Sequence, residues 1–177
     1  TIFTEQQDLE AEIAMLRARS DVNEQYIFLL GNSQGGVASA LTAAAYPDWV
    51  RAMALPSPAF SLADDARKLF GSADEIPEQC FHLLMNVGRN YFASVYYFDP
   101  IDAAKSYPGD VLIFHGDRDT LVPIDYSRRA AESFPNAMLQ VLSGEGHMYS
   151  GQAVRQTINS ISDSFYTHLG KAAMPQS

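Results

Sequence analysis

The 177-residue chain has little cysteine: Cys80 is its one thiol, so no disulfide can form within the chain. Cys80 lies in an apolar, helix-like stretch, where we expect an unreactive buried thiol rather than a nucleophile. Basic residues are also scarce, because 12 Lys and Arg oppose 21 Asp and Glu and the net charge is −9. Binding to phosphates needs a basic face, so this deficit disfavours nucleic acid as a partner.

Long apolar runs are absent as well. No run reaches the roughly 18 residues of a membrane-spanning helix, and no signal-peptide pattern opens the chain. We therefore expect a cytoplasmic protein without membrane association. What the chain does have is a globular composition, with 47% hydrophobic and 19% charged residues, and a length that suits one domain.

Short apolar runs alternate with helical patterns along the chain. The runs that predict strands lie at 26–30, 51–60, 111–114 and from 137. The helical patterns around them lie at 5–19, 34–45, 125–134 and 153–169. This alternation predicts an α/β fold with a parallel sheet, whose chemistry sits at the carboxyl ends of the strands.

Residues 61–98 interrupt this alternation. The sequence SADE at 72–75 matches a capping box, which marks the start of a helix. The following residues, IPEQCFHLLMNVG, predict a helix that is closed by Gly88. An aromatic-rich segment comes next, so we expect a helical insert between the second and third strands.

The sequence GNSQGG places Ser33 between two glycines where a strand meets a helix. Gly31, Ser33 and Gly35 match G-x-S-x-G, in which a sharp turn exposes the serine hydroxyl and leaves no room for side chains two positions away. The same turn aims backbone N–H groups of the new helix at one point. We therefore predict Ser33 as a nucleophile and the N–H of Gln34 as an oxyanion-hole donor.

A serine hydroxyl needs a base to take its proton, and the chain has four histidines. His168 and His82 lie in helical patterns, where a solvent-facing role is expected. His115 closes a strand and suits packing at the strand end. His147 stands in a glycine-flanked loop after a strand, so its imidazole can swing over a neighbouring strand end. We choose His147 as the base.

The base needs an acid that fixes its tautomer, and HGDRDTLVP offers two aspartates. Asp117 and Asp119 both follow the strand at 111–114. Either one can instead cap a turn, which aspartate does well. The residues alone leave this choice open, but the order serine, aspartate, histidine is that of the α/β-hydrolase triad.

The blocks GNSQGG, HGDRDTLVP and GEGH resemble the α/β-hydrolase superfamily, in its order and across roughly the whole chain. The chain is most similar to bacterial cinnamoyl (feruloyl) esterase-like hydrolases, which share the SQGG elbow. In relatives with G-x-x-D-x-x-V-P, the catalytic acid stands three residues before the valine. This resemblance implies Asp119 as the acid and Asp117 as a turn residue.

The resemblance also implies a small helical cap over residues 56–100. Aromatic side chains there would wall a pocket for an aryl or acyl group, or would form only the core of the cap: Phe92, Tyr96, Tyr97 and Phe98. Relatives usually carry histidine where this chain has Asn32, so specificity is expected to differ. We count Asn32 and Met148, which flank the predicted nucleophile and base, among the substrate contacts.

Relatives normally carry several strands before the nucleophile strand, and an early loop that supplies the second oxyanion donor. Here one helical pattern precedes the strand at 26–30, and no His-Gly loop lies upstream of Ser33. We therefore expect a sheet without its N-terminal strands, which a second polypeptide or a further segment of chain completes. The second oxyanion donor would come from the same source.

Taken together, these features predict a serine carboxylic-ester hydrolase that works through an acyl-enzyme on a small-molecule ester, and that needs neither a metal nor an organic cofactor. Aryl, hydroxycinnamoyl or short acyl esters are the expected substrates. Two alternatives stay open: an amidase or peptidase on the same fold, and a non-catalytic or incomplete hydrolase-like module.

Overall fold

The computed structural model describes residues 1–170 of the chain. Within that range seven helices form: α1 (Ile2–Arg17), α2 (Gln34–Ala45), α3 (Leu62–Leu69), α4 (Arg89–Ala93), α5 (Pro100–Ala104), α6 (Ile124–Ser133) and α7 (Gly151–Leu169). Six strands accompany them: β1 (Phe28–Leu30), β2 (Ala52–Pro56), β3 (Gln79–His82), β4 (Met85–Gly88), β5 (Asp110–Gly116) and β6 (Ala137–Leu142). Across residues 1–170, every helix is too short or too polar to span a bilayer.

Four of the strands form one parallel sheet in the order β1-β2-β5-β6. Its register pairs Leu29 with Met53, Met53 with Val111, and Val111 with Ala137. Each crossover between these strands contains a helix, as parallel pairing requires. The predicted α/β fold with a parallel sheet is therefore confirmed, and the ends of β1, β5 and β6 meet at one edge.

Both faces of the sheet are covered by helices, because alternate residues of a strand point to opposite faces. Met53 and Leu55 are fully buried in the larger core, which they share with α1, α2 and α5. Ala54 between them faces the other way, into a smaller cluster that contains Ile161 of α7. The result is three layers, with helices on both sides of the sheet.

The insert between β2 and β5 differs from the sequence prediction. The helix expected at 77–87 is wrong, because β3 and β4 pair there as an antiparallel hairpin. Leu83 and Leu84 form its turn with φ angles of 45° and 67°. Positive φ at both central residues is the geometry of a type I′ hairpin, which matches the twist of the strands.

Two smaller expectations in this insert also fail. Cys80 lies on β3 opposite Val87 and is half-buried, rather than being sealed inside a helix. The predicted capping box at 72–75 does not form, since Ser72 makes no capping side-chain bond and precedes only a 3₁₀ turn at Ala73–Glu75. The Glu75 carboxylate instead accepts a bond from the Gly71 N–H at 3.1 Å.

Candidate active site

Ser33 lies at the junction of β1 and α2, in a conformation that few residues other than glycine adopt. Its φ and ψ angles are 52° and −120°. Three backbone bonds fix it there: the Ser33 N–H donates to the Pro56 carbonyl, and the N–H groups of Gly36 and Ala59 donate to the Ser33 carbonyl, each at 3.0 Å. This strained turn raises the hydroxyl above the carboxyl edge of the sheet.

The two glycines around Ser33 have different roles. A Cβ on Gly31 would lie 2.3 Å from the Gly35 carbonyl oxygen and 2.5 Å from Ser39 Oγ, so no side chain fits there. Apart from its chain neighbours and the adjoining backbone of α2, a Cβ on Gly35 would meet no atom of residues 1–170 within 4 Å. The expectation of a clash at both glycines is therefore correct for Gly31 and wrong for Gly35.

His147 bridges Ser33 and Asp119. Its Nε2 lies 3.1 Å from Ser33 Oγ, and its Nδ1 lies 2.8 Å from Asp119 Oδ2. The His147 side chain is 15% exposed to solvent, whereas the Asp119 side chain is completely buried. The three side chains come from loops after β1, β5 and β6, so the sheet brings together groups that are 114 and 28 residues apart in sequence.

The loop that carries His147 is tied to the sheet by Tyr149. The Tyr149 hydroxyl donates to the Phe114 carbonyl at 3.0 Å and lies 2.9 Å from Ser57 Oγ. Burial raises the pKa of Tyr149 above its ordinary value, so the phenol stays protonated and keeps this bond. The tie fixes the loop two residues after the imidazole.

The two aspartates of HGDRDTLVP have separate partners. Asp119 Oδ1 accepts bonds from the N–H groups of Leu121 and Val122, both at 2.9 Å, while Oδ2 faces His147. Asp117 instead accepts a bond from the Gly144 N–H at 2.7 Å and remains exposed. Asp117 thus joins the loops after β5 and β6, and Asp119 contacts the imidazole.

A cavity of about 260 Å³ opens beside Ser33 and Gln34. The insert forms one wall and the loop after β5 forms the other. Apolar side chains make up most of the lining: Leu62, Leu69, Leu83, Phe92, Leu121 and Val122. Asp65, Lys68, His82 and Tyr91 add polar groups. The cavity therefore suits a mainly apolar group that is attached to whatever Ser33 attacks.

Of the aromatic residues predicted as substrate contacts, one lines the cavity and the others lie elsewhere. Phe92 is 2% exposed and lines this cavity. Tyr96 is buried and its hydroxyl donates to the Phe70 carbonyl, so it belongs to the core of the insert. Tyr97 is 82% exposed and lies outside the lining. The structure thus places one of these three aromatic side chains at the cavity.

Asn32 and Met148 lie on a different surface. Together with Leu30, His147 and Ile158 they line a second, more open groove between β1 and α7, of about 270 Å³. His147 lines this groove, whereas Ser33 lines the cavity beside the insert. Both residues flank the hydroxyl and the imidazole, as expected, but on the side away from the insert.

The Gln34 side chain links the cavity to the insert and to α1, a connection that the sequence did not reveal. The Tyr91 hydroxyl donates to Gln34 Oε1 at 2.6 Å, and Gln34 Nε2 donates to the Glu5 carboxylate. Burial raises the pKa of Tyr91, so its hydroxyl remains a donor. The Gln34 N–H, at the first residue of α2, has no partner within its own helix.

Two of the remaining three histidines depart from their expected surroundings. His82 lies on β3 and lines the cavity, because the segment is a hairpin. His168 is 11% exposed rather than solvent-facing, and its Nε2 lies 3.3 Å from Asp110 Oδ2 at the opposite edge of the sheet. His115 packs at the end of β5, as predicted, and is completely buried. The sequence pattern around His82 does not separate a helix from a hairpin, and the pattern of the last helix does not show whether His168 faces solvent.

The chain is similar to a described sequence family. The profile of the Hydrolase_4 family matches residues 4–97. The family is described as "Serine aminopeptidase, S33", where S33 is part of the family's name and does not refer to a residue of this chain. This is just over half of the chain, and it includes the elbow around Ser33 and most of the insert. His147 and Asp119 lie beyond the matched segment.

Solved structures with a similar fold include Est1E from Butyrivibrio proteoclasticus. This protein is 25% identical, with a TM-score of 0.83 over 94% of this chain and 72% of its own. Its structure with bound ferulic acid gives a TM-score of 0.86 over 97% and 70% of the two chains, again at 25% identity. These similarities confirm the expected α/β-hydrolase fold.

Two further comparisons are more distant. A monoacylglycerol lipase from Paleococcus ferrophilus has a TM-score of 0.70 at 15% identity, over 95% of this chain and 76% of its own, and supports the fold alone. The uncharacterized protein YfhR of Escherichia coli O157:H7 is 28% identical over 142 residues, which are 78% of this chain. The chain spans 44% of the length of that curated relative.

Proposed function

The chain belongs to the Hydrolase_4 family and has the α/β-hydrolase fold, and from this premise we propose that it is a serine hydrolase that cleaves carboxylic esters. One observation carries the proposal. A hydrogen-bonded series runs from Ser33 Oγ through both nitrogens of His147 to the buried carboxylate of Asp119. A serine hydroxyl, an imidazole and a carboxylate in this order make an activated nucleophile.

Each of the three side chains has a defined task in the proposed reaction. His147 Nε2 removes the proton as Ser33 Oγ bonds to the ester carbonyl carbon. Asp119, which accepts from Nδ1–H, holds the tautomer that leaves Nε2 free and stabilises the imidazolium that forms. His147 then gives the proton to the departing alkoxide, which leaves as the alcohol. Water repeats the sequence on the acyl-enzyme and frees Ser33 and the acid.

The Gln34 N–H is the proposed donor to the oxyanion of the tetrahedral intermediate. It is the first residue of α2, a 12-residue helix whose N-terminus carries partial positive charge. Its N–H lies directly after the nucleophile, which is the usual place for such a donor in this fold. Loss of one oxyanion donor typically reduces the rate by about 10²–10³.

The cavity beside Ser33 supports an ester with an aryl or short acyl group. Phe92 and the leucines around it give an apolar surface, and the volume of about 260 Å³ suits a single ring with a short chain. The structurally similar Est1E has been solved with ferulic acid bound, and that ligand is such a group. We therefore propose hydroxycinnamoyl esters as the first substrates to test.

The family's description also supports a second candidate, an aminopeptidase. Such an enzyme must bind a free ammonium group, and the carboxylate that lines the cavity is Asp65. Asp65 already accepts a bond from Ser61 Oγ at 2.6 Å and lies 3.6 Å from Lys68 Nζ. Its charge is thus partly neutralised, which favours an uncharged substrate and makes the ester the better proposal.

Matched substrates separate the two candidates. We expect methyl ferulate and p-nitrophenyl acetate to be hydrolysed, with kcat/KM well above that for feruloyl amide or leucine p-nitroanilide. Ser33→Ala is the control, and it should reduce kcat by about 10⁶, to the level of background. A preference for the free-amine anilide would support the aminopeptidase, and absence of turnover with a folded protein would support the non-catalytic module.

A further inference from the structure

His115 is a buried titratable group that the proposed reaction leaves unused. It lies at the end of β5, and its side chain is completely buried. Both ring nitrogens have partners: Nδ1 lies 2.7 Å from Ser127 Oγ, and Nε2 lies 2.9 Å from the Val122 carbonyl. The same Nε2 lies 3.2 Å from Asp119 Oδ2. The ring therefore lies close to the same carboxylate oxygen that faces His147.

The partners of His115 define its tautomer. A carbonyl oxygen only accepts hydrogen bonds, so the 2.9 Å contact with Val122 requires a proton on Nε2. In a neutral ring Nδ1 is then an acceptor, and the Ser127 hydroxyl can donate to it. The Nε2–H donates to the Val122 carbonyl, and Asp119 Oδ2 lies beside this bond, 3.2 Å from Nε2.

The two oxygens of Asp119 are held differently. Oδ1 is fixed by the backbone N–H groups of Leu121 and Val122. Oδ2 faces two imidazoles: it lies 2.8 Å from His147 Nδ1, with which it is hydrogen-bonded, and 3.2 Å from His115 Nε2. We propose that His115 is a positioning residue whose polar Nε2–H lies against Asp119 Oδ2 and limits the negative charge that this oxygen presents to His147. This inference rests on the proposed function of the three side chains.

The surroundings keep His115 neutral. Burial lowers its pKa below the ordinary value, and the nearby imidazole of His147 acts in the same direction, while the bond to Val122 and the charge of Asp119 oppose them. Asp119 faces the ring from the loop after β5, His147 faces it from the loop after β6, and Ser127 on α6 adds no charge. His115 therefore donates a hydrogen bond without becoming a second cation beside His147.

Three variants test this inference: His115→Phe, His115→Gln and Ser127→Ala. His115→Phe removes the donor, so Asp119 Oδ2 presents its full charge to His147 and favours the protonated imidazole. We expect the acid limb of the kcat profile to move to higher pH, and kcat to fall about 10-fold to 100-fold because the carboxylate is less well fixed. KM should not change, since His115 does not line the cavity.

The other two variants are the matched controls. His115→Gln replaces the ring by a side-chain amide, which keeps an N–H at a position similar to Nε2, so this variant should restore the acid limb and most of kcat. Ser127→Ala removes a buried bond to the same ring. The bond from Nε2–H to the Val122 carbonyl remains, so the tautomer of His115 is unchanged. It should reduce stability while leaving the acid limb in place.

An NMR titration of the His147 ring protons in all four proteins separates this inference from the proposed function, because it needs no turnover. A titration midpoint that moves upward in His115→Phe and returns in His115→Gln supports the inference even if no ester is hydrolysed. The same midpoint in all four folded proteins, or a downward shift in His115→Phe, would overturn it, whatever the activity.

Discussion

Ser33 combines the reactive hydroxyl with a backbone conformation that costs energy. A residue other than glycine at a φ of 52° and a ψ of −120° is typically strained by about 1–3 kcal/mol. The bonds from Ser33 N–H to Pro56 and from Ala59 N–H to Ser33 hold it in place. The protein thus gives up some stability to present the hydroxyl.

This strain predicts a difference between two inactive variants. Ser33→Ala removes the hydroxyl and keeps the strain, whereas Ser33→Gly removes both, because glycine adopts this region freely. We expect the free energy of unfolding to be about 1 kcal/mol larger for Ser33→Gly than for Ser33→Ala, after the greater flexibility of glycine in the unfolded chain is included. Urea unfolding measures it, and equal stabilities would mean that the turn is unstrained.

His115 gives a second prediction at this scale, for stability against pH. A histidine in an unfolded chain titrates near about pH 6.5, and burial lowers the pKa of His115 in the folded protein. Below about pH 6.5, His115 therefore binds a proton in the unfolded chain but stays neutral in the folded protein. This residue should reduce stability as pH falls, by at most about 1.4 kcal/mol per pH unit, until the native pKa is reached.

The His115→Gln variant lacks this titration. The stability difference between the original protein and His115→Gln should therefore shrink between about pH 7 and about pH 5, when both are unfolded in urea. A difference that stays constant or grows as pH falls would show that His115 is protonated in the folded state. The Ser127 hydroxyl would then accept a bond from Nδ1–H instead of donating to Nδ1.

The sequence patterns predicted the place of some site residues and missed the contacts of others. His147 and Asp119 stand in loops that follow apolar runs, where the carboxyl ends of parallel strands meet, and the structure brings both to one series with Ser33. His115 stands at the end of such a run, and no pattern indicates that its Nε2 lies 3.2 Å from Asp119 Oδ2. Such a contact depends on side-chain rotamers and on the path of the loop that brings Val122 back to His115. The spacing of residues in the sequence does not specify either.

At the scale of elements, the turn into α2 depends on Gly31 more than on Gly35. A Cβ on Gly31 would overlap the Gly35 carbonyl, which belongs to the backbone and cannot move without unwinding the helix start. Gly35 has open space at that position among residues 1–170. The signature G-x-S-x-G thus contains one glycine that packing requires and one that it does not.

Two alanine variants test this asymmetry. Gly31→Ala should reduce the free energy of unfolding by about 3 kcal/mol, the upper part of the usual range for overpacking, and displace Ser33, so activity is lost with stability. Gly35→Ala should leave stability unchanged or raise it by up to about 1 kcal/mol, because alanine favours a helix. Thermal unfolding of the pair measures both effects, and equal losses in the two variants would contradict the packing argument.

The insert shows where element prediction fails. The run from Cys80 to Val87 is short and apolar, and such runs do not separate a helix from a strand. The usual hairpin signal, Asn-Gly or Asp-Gly, is replaced by Leu83 and Leu84, which rarely adopt positive φ. The cross-strand pair Cys80 and Val87 packs against the larger core, and this packing favours the hairpin instead.

At the scale of the whole molecule, the layered architecture was predictable and the cavity was not. Apolar runs separated by helical patterns determine a parallel sheet, and the sheet gathers the polar loops at one edge. The cavity depends on how the insert lies over that edge. Tyr91 bonds to Gln34 across 57 residues, and Tyr96 turns into the insert rather than toward Ser33.

The central claim is that this arrangement activates Ser33, and covalent labelling tests it most directly. The purified protein and Ser33→Ala are incubated with a fluorophosphonate, which reacts with activated serines, and their intact masses are read while circular dichroism verifies that both are folded. The account predicts one adduct on the original protein and none on Ser33→Ala. A folded original protein without an adduct, or equal labelling of both proteins, would contradict it.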